Sequence, residues 1–167
     1  MFKFVYLFVF SILLLTACNE KKAPVVESGL ILPPNVIEVV DQRYPSEKPN
    51  EPGVPRKATY IDTTSNEKIM ERAFYKNKKV YMEINYGNNV KNGPAMAFRD
   101  GNGNPWSLHT YTNDTLDGPY KTWHENGNLF IEGQYVKGQK AGNWRFFNQN
   151  GELDKEVNFN DTTSVVK

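Results

Sequence analysis

The chain has 167 residues, a formal charge of +1 and a single cysteine. That length suits one modest domain, and the balanced charge excludes the strong positive field of a nucleic-acid binder. Hydrophobic residues make up 39% and aromatic ones 13%, a polar but ring-rich mixture that fits a thin β structure with Asn, Gly and Asp at its turns.

Residues 1–17 read MFKFVYLFVFSILLLTA. Lys3 precedes an apolar run from Phe4 to Leu15. The run is short for a membrane span, which needs about 20 apolar residues, and it suits the core of a signal peptide. It ends in Leu15-Thr16-Ala17-Cys18, which resembles the bacterial lipoprotein signal. The resemblance implies cleavage after Ala17, with Leu15, Thr16 and Ala17 read by the signal peptidase. It also implies a diacylglyceryl thioether on Cys18, usually with an N-acyl chain such as palmitate. The partner of Cys18 is then membrane lipid, held at about 0.8 kcal/mol per buried methylene. Removing residues 1–17 takes away only Lys3, leaving 19 basic against 19 acidic side chains. Lipidation also leaves no thiol for a disulfide, a nucleophile or a thiolate metal site. Asn19 follows the cysteine, where an Asp would favour inner-membrane retention in lipoproteins of this kind. The expected location is the outer membrane facing the periplasm, with the cell surface as the alternative.

Residues 18–34 hold three prolines, a glycine and no helical period, and read as an extended tether. Residues 35–68 read as a degenerate opening hairpin. Val36–Tyr44 is its first strand, a Pro-rich loop follows, and Lys57–Asp62 returns. Terminal repeats are expected to be atypical because one edge faces water.

Residues 69–161 read as four repeats beginning at Ile69, Gly93, Gly118 and Gly142, and residues 162–167 as a tail. A shift of 24 carries Gly118 onto Gly142, Tyr120 onto Trp144, Trp123 onto Phe147 and Glu132 onto Glu156. Such a period marks a repeat architecture. Each unit should be a β-hairpin turning at Asn102-Gly103, Asn126-Gly127 or Asn150-Gly151, because Asn-Gly between alternating segments is a strong hairpin signal. The predicted fold is all-β: tandem hairpins in an extended, twisted antiparallel sheet. Two registers are open. A two-residue loop sets Trp123 opposite Phe130. A three-residue loop, Glu125-Asn126-Gly127, sets it opposite Leu129, and this one is preferred. It groups Trp123, Leu129, Ile131 and Tyr135 on one face, with Phe147, Leu153, Val157 and Phe159 on the matching face of the next unit. Tyr120, Phe130 and Glu132 fall on the other. Lys78 stands where other turns have Gly, so the first of the four should turn differently.

The pattern of Gly118, Tyr120, Trp123, Asn126, Gly127, Leu129, Glu132, Gly133, Tyr135 and Gly138 resembles the bacterial variant of the MORN repeat, the repeat of YwqK-type antitoxins of toxin–antitoxin systems. The resemblance implies a hairpin-repeat fold and, through the family label, an antitoxin role.

No catalytic constellation emerges. His109 and His124 occupy non-equivalent repeat positions with no metal-ligand spacing. Glu83, Glu132 and Glu156 recur at the repeat period, as cross-strand partners of basic residues would. Asp100, Asn102 and Asn104 faintly resemble a calcium loop but lack its terminal Glu. No cofactor, metal or nucleic-acid partner is expected. Trp106, Tyr120, Trp123, Trp144 and Phe147 read by default as packing residues, and Tyr120, Phe130 and Trp144 form the candidate partner-binding face, with hairpin packing alone as the alternative. The expected function is a lipid-anchored protein-binding or scaffold module of the envelope. The alternatives are an antitoxin or immunity protein facing a toxin, and a lipid or envelope-polymer contact module.

Overall fold

The computed structural model describes residues 32–160. The signal peptide, Cys18, most of the tether and the tail at 162–167 lie outside them. The described residues form one open antiparallel sheet of eleven strands. These are β1 (Val36–Arg43), β2 (Pro55–Asp62), β3 (Glu67–Phe74), β4 (Val80–Gly87), β5 (Val90–Phe98), β6 (Pro105–Thr112), β7 (Thr115–Leu116), β8 (Gly118–Trp123), β9 (Leu129–Val136), β10 (Gln139–Phe147) and β11 (Leu153–Asn158). The sheet runs in chain order, with the short β7 pairing on β6 ahead of β8. The predicted all-β sheet of tandem hairpins is what the chain adopts.

The hairpin turns on one side share a geometry. His124 N–H donates to Asn128 O at 2.8 Å and Gly127 N–H to His124 O at 3.0 Å, enclosing Glu125-Asn126-Gly127. Trp123 pairs with Leu129, the preferred register. Gly127 and Gly151 take φ of +90° and +85°, the left-handed region that glycine enters without a Cβ clash. Asn126 adds a local bond, its Oδ1 accepting from Asn128 N–H at 3.0 Å. The unit with the extra residue closes a longer loop, from Arg99 N–H to Asn104 O at 2.9 Å.

Lys78 does not force a different turn. Tyr75 N–H donates to Lys79 O and Lys78 N–H to Tyr75 O, the bonds of the Asn-Gly turns. Lys78 sits at φ +67°. The ladder on either side holds a lysine in a conformation that costs an L-residue about 1–2 kcal/mol.

The face assignment also changes. Thr122 pairs with Ile131 while Trp123 pairs with Leu129, so Phe130 is an extra bulge residue. Beyond a bulge the alternation shifts by one. Ile131 and Tyr135 therefore share a face with Tyr120, and Trp123 and Leu129 share the opposite face with Glu132. The next unit repeats this: Phe147 pairs with Leu153, while Val157 lies beside Trp144. One face is aromatic toward its C-terminal end. The other carries a transverse row of charge in which Glu132 bonds Arg145 at 2.7 Å and approaches Lys121 at 3.7 Å. Arg72 pairs with Glu83 in the same row.

A second line of turns, on the opposite side of the sheet, joins one hairpin to the next. Asn88-Asn89, Asn113-Asp114 and Lys137-Gly138 are two-residue turns with positive φ at both positions, the geometry that suits the right-handed twist of the strands. Just after them, Gly93, Gly118 and Gly142 have φ of +99°, +120° and +63° and sit at register shifts in the first strand of each unit. The glycine that opens each repeat is thus a bulge glycine.

Adjacent hairpins are stapled by side chains. Tyr44 Oη donates to Phe74 O at 2.9 Å, Tyr75 Oη to Phe98 O at 3.0 Å and Arg99 Nη2 to Trp123 O at 2.8 Å. His124 Nε2 lies 2.8 Å from Phe147 O and donates to it. Each of the last three follows the aromatic residue that ends its unit's first strand, and each reaches the equivalent carbonyl of the next unit. Each also packs on the bulge ring of its own hairpin: Tyr75 on Tyr81 at 5.2 Å, Arg99 on Trp106 at 5.6 Å, His124 on Phe130 at 4.5 Å. In the last unit these positions are Asn148 and Asp154, and Asn148 bonds Glu152 of its own loop.

The buried cluster lies at the N-terminal end, where Leu32, Val36, Ala58, Tyr60 and Phe74 pack together. Leu32 belongs to this core, so the tether ends before residue 34.

Two substitutions test this account. Lys78→Gly should raise stability by about 1 kcal/mol in urea unfolding, by relieving the left-handed strain. Gly133→Ala should lose about 2–3 kcal/mol by overpacking, since a Cβ there would lie 2.3 Å from the Trp144 ring.

Candidate functional site

The aromatic face takes its form from one position in each repeat. Two residues after the bulge glycine stand Ala95, Tyr120 and Trp144. Their cross-strand neighbours are Ile84, His109 and Gly133, respectively. The pairing is complementary in volume: Trp144 has room because its neighbour is glycine.

Tyr120, Tyr135 and Trp144 form a closed triangle of rings, with centroids 5.7, 5.2 and 5.2 Å apart. His109 stands edge-on to Tyr120 at 5.0 Å, and Phe159 closes the far side on Trp144 at 5.9 Å. Cations cover the rings nearest the inter-hairpin turns. Lys68 lies 3.6 Å over Tyr86, Lys91 5.1 Å over Tyr111, and Lys140 4.4 Å over Trp144.

Of the three predicted contact residues, the structure brings two together. Tyr120 and Trp144 stack, but Trp144 is only 1% exposed. It is walled in by Lys140 and its neighbouring rings and offers no surface to a partner. Phe130 is 41% exposed, at the bulge against His124 rather than in the ring triangle. The recurring glutamates Glu83 and Glu132 have basic partners. His124 serves a staple and His109 a wall of the aromatic face. Among the described residues, no group of His, Cys, Asp and Glu is arranged to hold a metal ion.

Beside the triangle the face opens into a groove of about 380 Å³. Its floor is Ile84, Ala95 and Ala97, and its walls include Tyr81, Trp106 and Tyr111. Trp106, 46% exposed, stands at its edge. The signal for this groove was present in the repeat alignment, as alanines at positions where later units have Tyr120 with Thr122 and Trp144 with Phe146.

The sequence model of the MORN repeat variant matches residues 116–137 and 140–161. These are MORN-type repeats. The two windows cover the β8–β9 hairpin and, apart from Gln139, the β10–β11 hairpin. The β3–β4 and β5–β6 hairpins continue the same sheet and staples. Such repeats point to a binding or scaffold module. No curated protein matches the chain. Among solved structures, the crystal structure of TarM is similar at 15% identity and a TM-score of 0.30, over 73% of this chain and 19% of that one. The chain thus spans about a fifth of the length of that structure.

Burial governs the titration of the face. It holds the His109 imidazole below its ordinary pKa of 6.5. It raises the Tyr120 phenol, with a further push from Tyr135. Between 6.5 and the lower folded value of His109, the unfolded chain binds more protons, so this histidine makes stability fall as pH falls. An NMR titration should find the His109 pKa below 6.5, and Tyr120→Ala should move it up toward that value. An unmoved pKa would mean that Tyr120 does not shield the imidazole.

Proposed function

We propose that this chain is a non-enzymatic, lipid-anchored module of the bacterial envelope whose repeat sheet binds a partner protein. The observation that carries the reading is the aromatic face, where rings from successive hairpins are held in fixed positions beside an open groove. Rigid aromatic surface beside a pocket is what protein interfaces use for their strongest contacts. The anchor is the acylated Cys18, and the proposed location is the outer membrane facing the periplasm. On this reading the residues between Cys18 and Leu32 span the distance from the lipid to the sheet.

A second reading, an antitoxin or immunity protein that neutralises a toxin, is favoured by the consensus of residues 118–138. A deletion strain no more sensitive than its parent to neighbouring effectors would remove it.

In crosslinking pull-downs, the mature chain should capture a defined envelope protein. Tyr120→Ala with Tyr135→Ala should lose that capture while keeping a cooperative unfolding transition. Cys18→Ser should move the protein from the membrane pellet to the soluble fraction. Equal capture by the double variant, or an unchanged membrane pellet, would count against the corresponding half of the proposal.

A further inference from the structure

The groove exists because the β5–β6 unit departs from the two that follow it. Ala95 stands where the next two hairpins place Tyr120 and Trp144, and Ala97 where they place Thr122 and Phe146. The side chains around it keep ring-bearing positions: Trp106 at the bulge and Tyr111 at the site equivalent to Tyr135. The result is a ring-sized gap beside the ring-filled part of the face. An apolar cavity of about 150 Å³ holds a benzene ring, so about 380 Å³ has room for an indole. The floor of Ile84 and alanines is apolar, and no acid lines the groove.

The charged groups at the two ends of the gap are basic. Lys91 stands at one end, over Tyr111, and Arg99 lies over Trp106 at the other. The carboxylates near this face are engaged. Glu71, opposite Ile84, is held by Lys57 at 3.1 Å and Lys68 at 3.8 Å. Asp114 accepts from Lys91 N–H at 2.8 Å. His109 is half-buried and kept neutral by that burial, so it adds a flat apolar wall.

We propose that this gap is the anchor pocket of the interface, and that it takes an aromatic side chain, tryptophan or tyrosine, from an acidic segment of the partner protein. The incoming ring replaces the one that Ala95 lacks, packing against Trp106 and Tyr111. A neighbouring carboxylate on the partner faces Lys91. This rests on the protein-binding reading and names its contact point and the partner's chemistry.

The test uses the mature chain and N-acetyl-L-tryptophan, which carries both ring and carboxylate, with its neutral amide and chitotriose as comparisons. The acid should shift the NMR signals of Ala95, Ala97 and His109. Ala95→Tyr, which installs the residue of the following unit, should weaken binding at least roughly tenfold by filling the pocket. Trp106→Ala should also weaken it, with urea unfolding checking that the chain stays folded, because Trp106 braces the Arg99 staple as well as walling the groove. Lys91→Ala should cost roughly two- to fivefold, the range of an exposed ion pair. No shift at these residues overturns the inference. So does undiminished binding in both Ala95→Tyr and Trp106→Ala, or equal binding of the neutral amide. Shifts with chitotriose alone would make the groove a glycan site and overturn it as well. In the crosslinking pull-down, capture by both wild type and Ala95→Tyr overturns this inference alone. Capture by neither overturns the protein-binding reading beneath it.

Discussion

The structure depends on side-chain staples that cross from one hairpin to the next. A lone hairpin is marginal in water, and among the described residues few side chains are fully buried. Backbone ladders hold neighbouring strands but do not single out one register. A donor placed just after the strand-ending aromatic does so. It reaches one carbonyl of the following hairpin. Each such bond contributes about 1 kcal/mol net, and more where the donor is charged. Donor identity varies while the acceptor is constant, so tyrosine, arginine and histidine serve one role. The bulge ring beneath each donor fixes its direction. Asn-Gly is thus more than a turn signal. At Glu125-Asn126-Gly127 it closes the three-residue loop beside which Phe130 becomes the bulge ring.

The repeats, the sheet and the Trp123–Leu129 register were legible because they rest on period and turn chemistry, both local. The distribution of side chains between faces was not. Strict alternation from Leu129 carries Ile131 and Tyr135 onto the wrong face, since the pairing skips Phe130. A bulge is visible only once partners are known. The staples were hidden for a related reason: Tyr75, Arg99 and His124 share no side-chain class, so comparing units by residue type misses them. The two-residue turns left a trace in Asn88-Asn89, Asn113-Asp114 and Lys137-Gly138, but Lys-Gly beside Asn-Asn does not read as a repeat. Lys78 shows the converse, a local cost accepted because the ladder on both sides dictates the turn. Of the candidate site, Tyr120 was legible as part of the ringed face. Burial of Trp144 depended on Gly133 across the strand, a relation between units that no single repeat contains.

The two faces divide the work. The charged face alternates acid and base along one transverse row, interrupted by Met96 and Leu108, and ends at Glu156 on the last strand. Exposed ion pairs contribute little to stability, but opposite charges directly across from one another discourage slippage and disfavour stacking of one sheet on another. The aromatic face carries the packing that a thin sheet otherwise lacks. It is filled where Tyr120 and Trp144 provide rings and open where Ala95 does not. Packing is therefore concentrated at one end of this face and open surface at the other.

Among the described residues, the staple series breaks off at the last hairpin. Asn148 is too short to cross to another hairpin and turns back to Glu152, and Asp154 replaces the bulge ring. The outermost strand then presents Asp154, Lys155 and Glu156 to water, which discourages an added strand. The break is thus written into the chemistry of two positions rather than into the sheet itself, which has no intrinsic end. Such an array grows by copying an interior hairpin, because an inserted unit brings its own donor and accepts its neighbour's. Evolution or design could lengthen this protein by internal duplication, leaving the terminal hairpin to travel unchanged at the end of a longer chain.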